Sequence, residues 1–190
     1  MRIIAGAWKG RALQTPPGDT TRPTADRVRQ AVFDMLLHAP WGGRATIEGA
    51  RVLDVFAGTG AFGLEALSRG AAFATFIEQD RAALVALRAN IGRLRAVDHS
   101  SVLAGDVLAT TTLAASGRAP CALVFLDPPY GGDLVPRALA LLSAHGWIAP
   151  GALIIAETAR AEPPLDADLL AERTHGAARM SVWRNPMRGP

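Results

Sequence analysis

One cysteine, one tyrosine and no long apolar run set the first limits on this 190-residue chain. Cys121 by itself excludes an internal disulfide and a zinc site built from cysteines. Without an apolar stretch of about 20 residues there is no segment to span a bilayer. The opening MRIIAGAWKGRAL is too polar and too interrupted for a secretory leader, so a reducing cytoplasm is the expected setting. The four histidines, His38, His99, His145 and His175, are scattered without ligand spacing, and no metal site is expected. There is no Ser-His-Asp order, no phosphate-loop lysine, no internal repeat and no low-complexity segment. What remains is a chain with 49% apolar content, enough for one globular domain with room for a small extension.

Charge is sparse overall but unevenly placed. The formal net charge is +3. Residues 1–29 hold six basic groups (Arg2, Lys9, Arg11, Arg22, Arg27, Arg29) against Asp19 and Asp26, while the rest of the chain holds fourteen basic and fifteen acidic groups. The surplus therefore lies wholly on the N-terminal arm, and nearly all of it is arginine, whose planar fork binds phosphate and stacks on bases. Within the arm, residues 2–13 alternate around Gly6 and Gly10 as a short hairpin would, presenting Trp8, Lys9 and Arg11. A proline- and threonine-rich loop follows. Thr24 is the expected cap of a helix whose buried face is Val28, Ala31, Val32, Met35 and Leu36, with Arg27 reaching outwards. Pro40-Trp41-Gly42-Gly43 ends that helix and makes a hinge, which divides the chain into an arm over 1–43 and a main domain over 44–190.

From Val52 onwards the pattern alternates. Strands are expected at 52–57, 72–78, 101–104, 122–127 and 152–157, with helices at 61–67, 80–94, 107–115 and 134–145 between them. Strands separated by helices of this length run parallel in one sheet covered on both faces, an α/β architecture. Residues 169–175 and 179–183, around Gly176, add a closing antiparallel hairpin and bring the strands to seven.

Ligands of such a sheet bind beyond the carboxyl ends of its strands. An acid stands at or just after four of those ends: Asp54, Glu78, Asp106 and Asp127. The first strand breaks into Gly58-Thr59-Gly60, a turn that lets backbone approach a ligand. Gly58 to Gly63 satisfies the G-x-G-x-x-G fingerprint, which raises a nicotinamide dinucleotide as one occupant. A pyrophosphate over that turn would meet the charge of Asp54, whereas the ammonium of S-adenosylmethionine would be attracted by it. Glu78, twenty residues past Gly58, is placed for two ribose hydroxyls, and Asp106 for an adenine amino group.

The second motif sets the chemistry. An apolar run, Leu123 to Leu126, leads into Asp127-Pro128-Pro129-Tyr130. Two prolines stiffen the loop and remove two N–H groups, so it offers acceptors: the Asp127 carboxylate and the Pro128 carbonyl. That pair can take both hydrogens of an exocyclic amino group, and Tyr130 can stack on the base that bears it. Pro120-Cys121 is similar to the pair used by pyrimidine C5 methyltransferases. It lies before its strand, at the far end of the sheet from Asp127, so Cys121 is read as core.

VLDVFAGTGAFGLEALSRGA, FIEQD, Gly105-Asp106 and DPPY, preceded by IIAGAWKGRAL and RPTADRVRQAVFDML, resemble the bacterial 16S ribosomal RNA guanine-N2 methyltransferase family. The resemblance implies a Rossmann-like, seven-stranded class I S-adenosylmethionine-dependent methyltransferase sheet with a small basic N-terminal extension of hairpin plus helix. It implies methylation of a guanine N2 in small-subunit rRNA, within the subunit or an assembly intermediate. Asp54, Gly58, Thr59, Gly60, Glu78, Gln79, Asp106, Val107 and Asp127 would hold the cofactor. Asp127, Pro128, Pro129 and Tyr130 would hold and activate the base, and Trp8, Lys9, Arg11, Arg22, Thr24 and Arg27 would contact RNA. A monomer is expected. An adenine-N6 methyltransferase of DNA or RNA, and a non-catalytic ribosome-assembly factor, are the alternative readings.

Overall fold

In the computed structural model, strands β1 (Arg51–Val55), β2 (Phe73–Glu78), β3 (Ser100–Ala104), β4 (Cys121–Leu126), β5 (Ile148–Ala159), β6 (Asp168–His175) and β7 (Ala178–Arg184) form one sheet. Their order is β3-β2-β1-β4-β5-β7-β6. The structure describes residues 1–16, 23–109, 112, 120–129, 131, 133–163 and 168–186. The first five strands pair in parallel, and β7 runs antiparallel between β5 and β6. The fold is Rossmann-like α/β, as the alternation of patterns predicts. The α-helices whose bounds lie within the described residues are α1 (Pro23–His38), α2 (Ala61–Ser68), α3 (Arg81–Leu94) and α4 (Leu134–Ala144).

Strand alternation sorts the core into two layers. Val52, Leu123, Phe125, Leu153 and Ile155 face one layer with Phe33 of α1, Leu64 of α2 and Leu87 of α3. Leu53, Val55, Val124, Leu126, Ile154 and Ala156 face the other, with Val135, Ala138 and Leu142 of α4. The arm is built into the first layer: Ile3 and Leu13 are buried there, and Arg2 bridges Ala12 in an antiparallel pair. The short hairpin is completed by Gly10 N–H donating to Ile3 O (2.8 Å) and Ile3 N–H to Arg11 O (2.9 Å).

Three expectations about helices shift. α1 begins at Pro23, because proline's fixed φ and missing N–H suit the first helical position, and this leaves Thr24 within the first turn rather than capping it. Residues 107–109 make a turn, with Ala109 N–H donating to Asp106 O (3.0 Å). Beyond it, the helix expected to 115 lies outside the described residues, Thr112 apart. α3 begins one residue later than expected, with Asp80 as its cap, accepting from the Ala83 N–H at 2.8 Å.

Candidate functional site

Strand order turns back between β1 and β4, so the crevice beyond their carboxyl ends is the topological switch point. Register then brings the site residues into one row. Ile77 pairs with Val55, and Val55 with Leu126, so the next residues along, Glu78, Phe56 and Asp127, stand side by side at the strand ends. Glu78 pairs with Ala104, which puts Gly105 and Asp106 just beyond. A cleft of ≈ 240 Å³ opens over this row, lined by Phe56, Ile77, Glu78, Gln79, Asp80, Gly105, Asp106, Val107, Asp127 and Pro129. Phe56, on the cleft wall, turns the chain out of β1 with φ 59°, a left-handed conformation costly for a bulky residue.

The glycine loop is held from within. Gly58 and Gly60 have φ of 54° and 82°, which side chains with a Cβ rarely adopt. Glu78 Oε2 accepts from Gly58 N–H at 2.7 Å, while its Oε1 accepts from the N–H groups of Gln79 (2.8 Å) and Asp80 (2.7 Å). Asp106 Oδ1 accepts from Leu108 N–H (2.9 Å) and is exposed to the cleft.

Asp54 departs from the expectation that four acids share one rim. It is 2% exposed, does not line the cleft, and its Oδ2 accepts from Gly63 N–H at 2.8 Å in the first turn of α2. The reason is strand geometry: Asp54 still lies within β1, where alternation turns it towards the α2 layer. Burial pushes its carboxyl up to about 8, against the Gly63 hydrogen bond, with the charges of Asp127 and Glu78 adding to the rise. Asp127 is exposed where the cleft opens. Even so, the protein packed around its carboxyl, and then the Glu157 charge, push it up to about 7. Pro128 is buried and Pro129 exposed on the cleft wall. Tyr130 and Arg22, and the side chain of Thr24, lie outside the described residues.

A second groove, ≈ 450 Å³, lies between the arm turn and α1, lined by Arg2, Ile3, Ile4, Lys9, Gly10, Asp26, Arg27 and Gln30. Lys9, Arg11 and Arg27 are exposed, and Trp8 is half-buried against the core. Arg29 is different: it is 2% exposed, bonded to Asp26 Oδ1 (3.0 Å) and to Arg2 O, and 3.8 Å from Glu65. Two positions apart on a helix face opposite ways, so one arginine of the basic arm serves the interior.

The residues that sequence reasoning passed over are those fastening the arm. Glu65, fully buried, accepts from Ile4 N–H (2.7 Å), Ala5 N–H (3.0 Å) and Arg69 Nε (2.7 Å). Ser68 Oγ accepts from Trp8 N–H (3.0 Å) and donates to Ala5 O (2.6 Å). The Arg69 guanidinium lies 4.5 Å over the Phe33 ring. A lone charge in AFGLEALS, where seven of eight residues are buried, was the available signal.

The family model described as Conserved hypothetical protein 95 matches residues 1–184. Ribosomal RNA small subunit methyltransferase D of Escherichia coli K12 is 44% identical over 158 residues, covering 83% of this chain and 74% of that protein. The protein of the same name from Haemophilus influenzae is 34% identical over 188 residues, 97% of this chain and 94% of the other. The solved structure of yhhF from Escherichia coli superposes with a TM-score of 0.82 at 38% identity, across 99% of each chain. The rRNA methyltransferase aviRa from Streptomyces viridochromogenes, at 17% identity and a TM-score of 0.65 over 90% of this chain and 88% of that one, shares the fold alone.

Proposed function

The chain belongs to the family of ribosomal RNA small subunit methyltransferase D, and from that membership we propose that it methylates the exocyclic N2 amino group of a guanine in 16S rRNA, using S-adenosylmethionine. The observation that carries the reading is the row of Glu78, Asp106 and Asp127 on one cleft at the switch point, with the Asp-Pro-Pro turn at its mouth.

The residues present fit the cofactor. The cleft volume falls below the ~300–1,000 Å³ usual for a complete small-molecule site and suits a nucleoside. Glu78 would take the ribose hydroxyls, Asp106 the adenine amino group, with Gln79 and Val107 forming walls. Gly58, Thr59 and Gly60 would lie beneath the amino-acid part. Asp54 would act from below, by holding Gly63 and the start of α2. When bound, S-adenosylmethionine supplies a sulfonium methyl that is electrophilic and a neutral thioether as leaving group.

The chain's own part is to make a poor nucleophile attack. The guanine N2 lone pair is delocalised into the ring. The Asp127 carboxylate and the Pro128 carbonyl accept the two amino hydrogens, favouring the pyramidal nitrogen whose lone pair points out of the ring plane. The two prolines hold those acceptors still, so orientation supplies much of the rate. Tyr130 provides the face on which the base stacks. A base in a duplex cannot reach this cleft, so it enters extruded or from a loop. Residues 1–43 would act as the RNA-attachment arm and 44–190 as the methyltransferase domain of a monomer in the cytoplasm. The exposed Lys9, Arg11 and Arg27, joined by Arg22, Trp8 and Thr24, would meet the backbone of 16S rRNA in the small subunit or an assembly intermediate.

Incubation with labelled S-adenosylmethionine and, separately, unmodified small subunits, naked rRNA and DNA, followed by nucleoside analysis, tests this. N2-methylguanosine from rRNA or subunits is expected, and label only in N6-methyladenine would overturn it. Asp127→Ala should stay folded and lose about a hundredfold or more of methyl transfer. In the unaltered protein, transfer should climb with pH across about 7 as the carboxylate ionises. A folded variant with ordinary turnover would remove Asp127 from the mechanism.

A further inference from the structure

Asn90 is the one polar residue among the seven buried positions of α3, the others being Ala83, Leu84, Ala86, Leu87, Ile91 and Leu94. A carboxamide in an apolar stripe is tolerated only when bonded. Asn90 is 1% exposed and bonded on three sides: Oδ1 accepts from Gln14 N–H (2.7 Å), and Nδ2 donates to Gln14 O (3.0 Å) and to Thr59 O (3.1 Å). Gln14 follows the buried Leu13 of the arm, and Thr59 is the central residue of the glycine loop. One side chain thus clasps the arm by both backbone groups of Gln14 and, with its remaining N–H, fixes the loop carbonyl.

The same loop is gripped from the opposite side by Glu78, whose Oε2 takes the Gly58 N–H (2.7 Å). A continuous chain of hydrogen bonds therefore runs from the cleft through Glu78, Gly58-Thr59 and Asn90 to Gln14 of the arm. The loop between the two grips is flanked by glycines in left-handed conformations; Gly60 sits against Leu87, Leu64 and Phe76, while the outward backbone groups, Gly58 N–H and Thr59 O, are held by the Glu78 and Asn90 hydrogen bonds. We propose that Asn90 is a positioning residue that ties the arm to the glycine loop, so that filling the cofactor cleft and seating the arm favour one another. This rests on the reading that the cleft takes S-adenosylmethionine. Coupling of this kind is reciprocal, so RNA held on a seated arm tightens cofactor binding by the factor with which cofactor tightens RNA binding.

Amide hydrogen exchange of the full chain with and without S-adenosylhomocysteine tests it. In the unaltered protein the ligand should slow exchange over 58–60 and also at the bonded arm amides of Ile3, Gly10 and Leu13, by about fivefold or more. In Asn90→Ala the loop should still respond while the arm's response falls severalfold, to what the Thr59 Oγ1–Met1 Sδ contact at 3.4 Å can carry. Gln14→Pro removes one bond of the clasp from the arm side and leaves α3 intact. Because Nδ2 can still donate to Gln14 O and Thr59 O, it should weaken the arm's response rather than abolish it, and it carries the test if Asn90→Ala does not fold. A merely structural Asn90 would lower the melting temperature with and without ligand but leave the arm responsive. An arm that responds as strongly in a folded variant as in the unaltered protein, or that stays silent in the unaltered protein while 58–60 respond, overturns the proposal. If 58–60 do not respond in the unaltered protein, the cofactor reading falls and this inference with it.

Discussion

Two buried carboxylates bracket the glycine-loop helix, and they solve the same problem in opposite ways. Glu65 meets Arg69 at 2.7 Å, Arg29 at 3.8 Å and two arm N–H groups, so its charge is compensated where it is buried. Asp54 has one N–H, from Gly63, and two other acids nearby, and burial pushes it up to about 8. The difference shows what each end of the helix is for. The far end is a fastening, where ions and backbone groups join arm to body. The near end is a rim on which negative charge gathers beneath a cleft, and a proton on Asp54 keeps that charge from accumulating further.

The sharpest way to break this comparison is Glu65→Ala. It strands Arg69 without its carboxylate, leaves Arg29 with Asp26 alone, and leaves the Ile4 and Ala5 N–H groups without their acceptor. A loss of about 3–5 kcal/mol is expected in urea unfolding. A change below about 1 kcal/mol would show that the pair contributes no more than a surface one.

At the other end the test is pH. The folded-state pKa of Asp54 is raised, so its folded form keeps a proton that the unfolded chain releases. Its contribution to stability is therefore fully present below about 4, where both states are protonated, and is lost as pH rises through about 8. The loss should be on the order of a few kcal/mol. Asn at position 54 keeps an acceptor for Gly63 but has no proton to lose. Asp54→Asn should therefore flatten the profile of unfolding free energy between those limits, and an unchanged slope would assign the pH dependence elsewhere.

Gly6→Ala probes the fastening without touching a charge. Gly6 has φ 81°, and a Cβ there would stand 1.8 Å from the Ser68 carbonyl oxygen. Loss of about 2 kcal/mol and faster exchange of the arm amides are expected, with cofactor affinity moved less than stability. The smallest effect concerns the exposed basic face. Arg27→Ala should reduce the salt slope of RNA binding by about one and weaken that binding, with cofactor affinity unchanged in a titration of each ligand. A fall in cofactor affinity alone would detach Arg27 from RNA.

Much of the fold could be read from local pattern. The strands expected at 72–78, 101–104, 122–127 and 179–183 appear within a residue or so at each end, because period-two apolar runs and glycine breaks are local physics. Strand β5 is longer than expected, Ile148–Ala159, since pairing with both β4 and β7 extends it past its most apolar stretch. Of the candidate site, Glu78, Gln79, Asp106, Val107, Asp127 and Pro129 meet on one cleft. Asp54 does not reach that surface, and Arg29, counted with the basic arm, turns inward. Glu65, Ser68 and Asn90 carried a faint signal, each a polar residue in an apolar helical stripe, but their partners in the arm lie sixty or more positions away.

Order of elements, the chemistry at strand ends and the glycine turn were determined by the sequence itself, because each depends on neighbours within a few residues. Which acid opens to the cleft, which arginine faces water and what clasps the arm to the loop were decided only by the tertiary structure. Burial and partnering depend on residues far apart in the chain, and a charge's surroundings set both its protonation and its use.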